Sequence, residues 1–137
     1  MRSLYLILAA VDQVWASVRT CRVVVAVVVT QGRGQTVQTA FDEYERRAWA
    51  GRADAYAASF AKLCAYPVPR LLDAAEVREG ARVLDVGTGT GSIAAAACER
   101  GAKVAAVDAE PGMVACAAQA APEADVRLAA LPRLPFA

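Results

Sequence analysis

Two aspartates and three glycines are the residues of this chain whose types and spacing could do chemistry. Asp85 stands in a short apolar run, Val83-Leu84-Asp85-Val86, two residues before Gly87, with Gly89 and Gly91 following at alternate positions. Asp108 closes a second apolar run that starts at Lys103, and it stands 19 residues after Gly89. A strand that enters a glycine turn and then a helix is how a parallel α/β sheet builds a nucleotide site. The glycines let the backbone approach a ligand, and the helix N-terminus offers free N–H groups. A carboxylate inside the first strand is costly to bury unless a cation or a donor meets it, so Asp85 predicts such a group nearby. The spacing of Asp108 is close to the ~20 residues that set an acid beside a ribose. Its blander reading is a cap for the helix that follows.

Three nucleotide motifs compete for the turn. A P-loop requires Gly-x-x-x-x-Gly-Lys-[Ser/Thr], and no lysine occurs between Lys62 and Lys103. A dinucleotide fingerprint requires Gly-x-Gly-x-x-Gly. Gly87 and Gly89 satisfy it, but Ser92 stands where the third glycine belongs. Asp85 would also repel a pyrophosphate. What remains is Asp-x-Gly-x-Gly-x-Gly.

Val83 to Gly91 resembles motif I of the class I S-adenosylmethionine-dependent methyltransferases. The resemblance implies a Rossmann-like three-layer αβα fold and S-adenosyl-L-methionine as cofactor. On that reading Gly87, Thr88, Gly89 and Gly91 form the turn beside the cofactor's amino-acid end, which Asp85 helps to hold. Asp108 resembles the acid of the family's motif II, which accepts hydrogen bonds from both ribose hydroxyls. Ala109 continues that motif, and Met113 would lie against the adenine. The family commonly has an acid after the third strand and then Leu-Pro-Phe. Leu134-Pro135-Phe136 fits, but the acid's position falls on Ala130. Adenine recognition is then left to backbone groups near Ala130 and Leu131 and to apolar packing.

Stepping outward, Val83–Val86 and Lys103–Asp108 read as buried parallel strands, and Asp125–Leu128 as a third. Helices are expected from Ser92 to Arg100, with Gly101 ending the first, and from Pro111 to about Gln119. Upstream, Thr39 and Asp42 resemble a capping box. Trp49, Ala53, Tyr56, Phe60 and Leu63 repeat at helical spacing, which predicts one apolar face that Gly51 divides. By resemblance these helices cover the cofactor, with Asp54 to Tyr56 in that role; the plainer reading makes the aromatics core. Pro67 and Pro69 are expected to stop the run, and a short helix to span about Arg70 to Arg78.

The chain divides into an apolar and basic extension over 1–38, a helical segment over 39–80 that the resemblance makes a cover, and, again by resemblance, a partial cofactor-binding domain over 81–137. The extension holds Leu4–Val11 and the valine-rich run Val23–Val29, both shorter than the ~20 apolar residues of a membrane-spanning helix. The valine run reads as a strand of high β-propensity or as a non-native extension. Residues 31–36 read as a linker.

At 57% hydrophobic and 21% charged, the 137-residue chain suits a globular domain rather than a disordered one. A net charge of +1 gives no electrostatic reason to expect nucleic acid or a membrane as partner. Four separated cysteines and no histidine make zinc improbable, exclude a histidine-based proton shuttle and favour reduced thiols in the cytoplasm.

The family fold has seven strands, and this sequence reaches the third, so the expected fold is truncated there. Val83–Val86 would then have one unpaired side, open to a second copy or a complementing chain. The expected function is methyl transfer to O, N or C of a small molecule, with no general base to be named. A nicotinamide-dependent oxidoreductase and a non-catalytic half-domain are the competing readings.

Overall fold

The computed structural model of the chain describes residues 23–26, 43–131 and 133–136. Its centre is a parallel sheet of four strands in the order β1 (Val23–Ala26), β2 (Arg82–Val86), β3 (Lys103–Asp108) and β4 (Asp125–Leu128). β2 is buried at every residue from Val83 to Val86, as a strand covered on both faces must be. Alternate side chains go to opposite faces. Val83 joins a cluster with Val68, Leu72, Ala94, Ala97 and Val104, whereas Leu84 and Val86 join Val107 on the other side. Asp85 therefore shares the Val83 face.

The helices follow the chain as α1 over 43–49, α2 (Ala53–Ala58), α3 (Phe60–Ala65), α4 (Val68–Ala74), α5 (Ser92–Glu99) and α6 (Pro111–Ala120). α5 and α6 are the crossovers of two βαβ units. Runs of alanine let them approach closely: Ala94, Ala97 and Ala117 are fully buried. Gly101 follows α5 in the left-handed region, at φ 74°, with its N–H on the Cys98 carbonyl. This is the expected helix stop. Leu131, Leu134 and Phe136 pack back against the Leu84 face. Arg127 braces them by donating to the Pro135 carbonyl at 2.6 Å and lying 4.8 Å above the Phe136 ring.

Three expectations are corrected. The first concerns the edge of β2, which is not open. β1 pairs with it in parallel, Val23 opposite Val83 and Val25 opposite Asp85. Val23–Ala26 of the valine run is thus a strand, and the sheet has a fourth member beside β2 where an unpaired edge was expected. β-branched residues suit this place, because they favour extended backbone.

The second concerns the upstream apolar face. It breaks at 50–52, as the division at Gly51 implies, but Ser59 interrupts it a second time, and Trp49, Phe60 and Leu63 are 40%, 58% and 65% exposed. Only Ala53 of the expected stripe is buried, so neither Trp49 nor Phe60 is core. The third concerns the prolines: α3 stops before Pro67 as expected, but Pro67 and Pro69 also open the next helix, which spans Val68–Ala74 and not Arg70 to Arg78. Pro67 is the N-cap of α4 and Pro69 lies in its first turn, where a missing N–H costs nothing. The capping box at Thr39 and Asp42, the run Leu4–Val11 and the linker at 31–36 lie outside the described residues.

The pairing of β1 makes a direct prediction. Replacing Val24 and Val25 together by proline removes two consecutive N–H groups, one of which must face β2 in a parallel ladder. Amide exchange at Leu84 to Val86 should accelerate by roughly fivefold, given about 1 kcal/mol per net hydrogen bond lost. Self-association measured by light scattering should rise as the β2 edge opens. Unchanged exchange would show that β2 does not depend on this neighbour.

Candidate functional site

The two aspartates meet at the carboxyl end of the sheet, where open α/β folds hold their ligands. β2 ends at Val86, and the turn that follows is pinned to β3: the N–H groups of Gly87 and Thr88 both donate to the Val107 carbonyl, at 2.9 and 3.0 Å. Gly87, Gly89 and Gly91 all have positive φ, at 74°, 56° and 84°. Such a run of left-handed residues is open only to glycine at low cost.

Asp85 lies beneath this turn at 2% exposure. Its Oδ2 accepts from the Thr88 hydroxyl at 2.7 Å. Thr88 is itself buried, so this contact is shielded from water. The donor that the sequence demanded is therefore a residue of the turn. Burial pushes the Asp85 carboxyl up to about 6, the charge of Asp108 adds to that, and the Thr88 hydroxyl and Ala94 N–H act against it. Among the described residues no basic side chain pairs with either acid.

Asp108 spans the mouth of the same turn. Its Oδ2 accepts from the Gly89 N–H at 2.8 Å and its Oδ1 from the Glu110 N–H at 3.0 Å. It does not cap α6. That role belongs to Glu110, whose Oε2 accepts from the Met113 N–H at 2.7 Å. The blander reading of Asp108 therefore fails. Each of its oxygens keeps a further acceptor lone pair for a ligand hydroxyl.

The other expected site residues divide. Thr88 and Gly89 stand with the two acids, and Gly87 is exposed at the lip. Ala109 is exposed next to Asp108. Ala130 and Leu131 follow β4, whose end is held beside β3 by the Ala129 N–H donating to the Asp108 carbonyl at 3.0 Å. Ala130 is exposed, whereas Leu131 packs on the Leu84 face. Gly91 is buried against α6, where a Cβ would come within 2.8 Å of the Ala117 Cα. Met113 is buried too, with 4% of its surface left for any contact.

Tyr56 of the upstream cover reaches this turn: its Cε1 lies 3.7 Å from where a Cβ on Gly89 would stand. Its ring meets Trp49 edge-on at 5.6 Å. Burial, Cys64 and the Asp108 charge push its phenol up to about 12, so it is a neutral hydroxyl at physiological pH. Glu110 was not singled out by sequence reasoning. The available signal was an acid directly before Pro111, a residue type seldom chosen as a helix cap. A shallow depression of about 440 Å³ lies at the opposite end of the strands, beside Arg82, Lys103, Glu123 and Asp125. It touches neither the glycine turn nor Asp85 and Asp108.

Residues 83–137 match the family described as Methyltransferase domain. Among solved structures, a TehB-like SAM-dependent methyltransferase from Corynebacterium glutamicum is 32% identical, with a TM-score of 0.51 over 58% of this chain and 46% of its own. Magnesium protoporphyrin IX methyltransferase from Synechocystis PCC 6803, with bound SAH, is 20% identical, with a TM-score of 0.41 over 77% of this chain and 44% of its own. A Haloferax volcanii methyltransferase complex with the Trm112 activator is 26% identical, with a TM-score of 0.42 over 61% and 41% of the two chains. A search of the curated proteins finds no match. The chain thus spans less than half the length of the solved proteins it resembles. In fold and motif, residues 83–137 resemble part of a class I S-adenosylmethionine-dependent methyltransferase domain.

Proposed function

We propose that the glycine turn binds S-adenosylmethionine through Asp85 and Asp108, and that the chain serves methyl transfer to a small molecule. The observation that carries the reading is the bridging of one turn by two acids, Asp85 from below through Thr88 and Asp108 from the rim through Gly89. Two carboxylates with no basic partner among the described residues suit a ligand that brings its own positive charge and hydroxyls. They do not suit a pyrophosphate, whose charge both would repel. That disfavours the nicotinamide reading.

When bound, the cofactor supplies an electrophilic methyl, and the protein's task is to hold donor and acceptor in line. Asp85 would orient the amino-acid end and Asp108 the ribose, with the Gly89 backbone fixing their spacing. Tyr56 would close the turn on the cover side and keep water out. Its raised phenol makes it a poor base at neutral pH. The apolar, aromatic cover around Trp49, Tyr56 and Phe60 supports a small apolar acceptor over a polyanion.

Calorimetric titration with S-adenosylmethionine or S-adenosylhomocysteine tests the binding step. Asp108→Ala should weaken binding by roughly ten- to a hundredfold, because a hydrogen bond to a charged group is worth about 1.5–3 kcal/mol. NAD should produce no heat. A wild-type protein that takes NAD and ignores the sulfonium nucleoside would reverse the assignment. A labelled-methyl assay, run with candidate acceptors, then separates a transferring enzyme from a module that only binds.

A further inference from the structure

We infer that Glu110 is a positioning residue that latches the helical cover onto the ribose-facing acid; the functional half of this inference rests on the cofactor reading above. Three groups converge on this one residue. Its backbone N–H donates to Asp108 Oδ1 at 3.0 Å. Its side-chain Oε2 accepts from the Met113 N–H at 2.7 Å, and Oε1 accepts from the Gly51 N–H at 3.4 Å, across 59 residues of sequence. Gly51 lies in the turn between α1 and α2, one turn of chain before Tyr56. The carboxylate therefore joins the cover to the start of α6, and the backbone N–H of the same residue holds the acid that in turn holds Gly89.

The packing beside this contact is equally specific. A Cβ on Gly112 would stand 2.8 Å from Glu110 Oε2 and 3.1 Å from the Ala53 Cβ. Ala53, the first residue of α2, is buried at this junction. A shorter acceptor at position 110 could cap α6 but could not also reach Gly51. Serine and threonine are better caps than glutamate, so capping alone does not account for the longer side chain. Its extra length spans the gap to the cover. Displacing that cover would move Tyr56 away from Gly89, loosening one wall of the site without touching either acid.

Glu110→Ser separates the two roles, because serine retains an N-cap acceptor for α6. Its melting temperature should stay near that of the wild type. Amide exchange over 51–56 in the ligand-free protein should quicken by about two- to fivefold, the scale of one long, exposed hydrogen bond. Dissociation of S-adenosylhomocysteine should quicken by up to about fivefold on the same grounds. Gly112→Ala is the second probe. Alanine favours helix, so α6 alone should gain, yet the crowded junction should release 51–56 as Glu110→Ser does. Unchanged exchange over 51–56 in both variants overturns the latch. Faster exchange with unchanged dissociation overturns its role in holding the cofactor. If the wild type itself fails to bind S-adenosylhomocysteine, the cofactor reading fails, and the ligand-free exchange still decides the latch.

Discussion

Asp85→Asn should make the ligand-free protein more stable at neutral pH and make it a poor binder of S-adenosylmethionine. The buried carboxyl titrates at about 6 in the folded chain, against an ordinary value of 3.8 when unfolded. Between those values the folded state holds a proton that the unfolded state has released. Stability therefore falls as pH rises from about 4 to 6, and above 6 the ionised group has withdrawn roughly 3 kcal/mol relative to acid conditions. Asparagine cannot ionise, and its carbonyl can still accept from Thr88. It leaves one former donor of the carboxylate less well met, so the net gain at pH 7.5 should be about 1–2 kcal/mol. The gain should vanish near pH 4.5, where the wild-type carboxyl is largely protonated.

Binding should move the other way. A cationic ligand end favours the ionised acid, so wild-type affinity should rise with pH up to about 6 and then level off, with proton uptake by buffer below that point. The variant should lose at least roughly tenfold in affinity and the pH slope with it. Urea melts at two pH values and titrations in buffers of different ionisation enthalpy measure both halves. A variant that binds as well as the wild type, with the same slope, would remove Asp85 from the site. The trade between stability and function is the physical signature expected of a buried charge kept for a ligand.

How much of this was legible beforehand follows from which forces act locally. β2, β3 and the crossovers α5 and α6 were readable because apolar runs there meet clear punctuation, Gly87 to Gly91, Gly101 and Pro111, whereas β4, largely exposed, was readable only as the next beat of the βαβ rhythm. The link between Asp108 and the turn was readable as a spacing, and the structure realises it as the Gly89 N–H on Asp108 Oδ2. The partner of β1 was not readable. Val23–Ala26 announces a strand, but its seat beside β2 depends on a pairing 60 residues away that leaves no local mark. The helical cover misled for a related reason. Gly51 was a visible break and turns the chain at φ 68°, but Ser59 at ψ −88° turns it again between Tyr56 and Phe60, where no glycine or proline marks the place. Glu110 escaped notice because its longest contact runs to Gly51, far upstream.

The glycines of the turn, alike in sequence, should respond very differently to a methyl group. Gly91→Ala should be among the most destabilising single substitutions in this chain, and Gly89→Ala a mild one. Both positions have positive φ, so both incur about 1–2 kcal/mol for an L side chain. Beyond that, a Cβ at Gly89 meets only Tyr56 Cε1 at 3.7 Å, an ordinary contact. A Cβ at Gly91 meets the Ala117 Cα at 2.8 Å, its Cβ at 3.0 Å and its carbonyl oxygen at 3.3 Å. Two of those atoms are backbone of α6, so relief requires α5 and α6 to separate. Overpacking of this kind costs about 1–3 kcal/mol, which brings the total to roughly 2–5 kcal/mol against a domain stability of about 5–15 kcal/mol. Ala117→Gly should not rescue the variant, because it removes the contacting Cβ but leaves the nearer Cα and adds about 1 kcal/mol of helix cost. Urea denaturation of the two single variants and the double variant decides it. Rescue by Ala117→Gly would show that the clash is borne by a side chain, and that Gly91 is present for the turn's conformation alone.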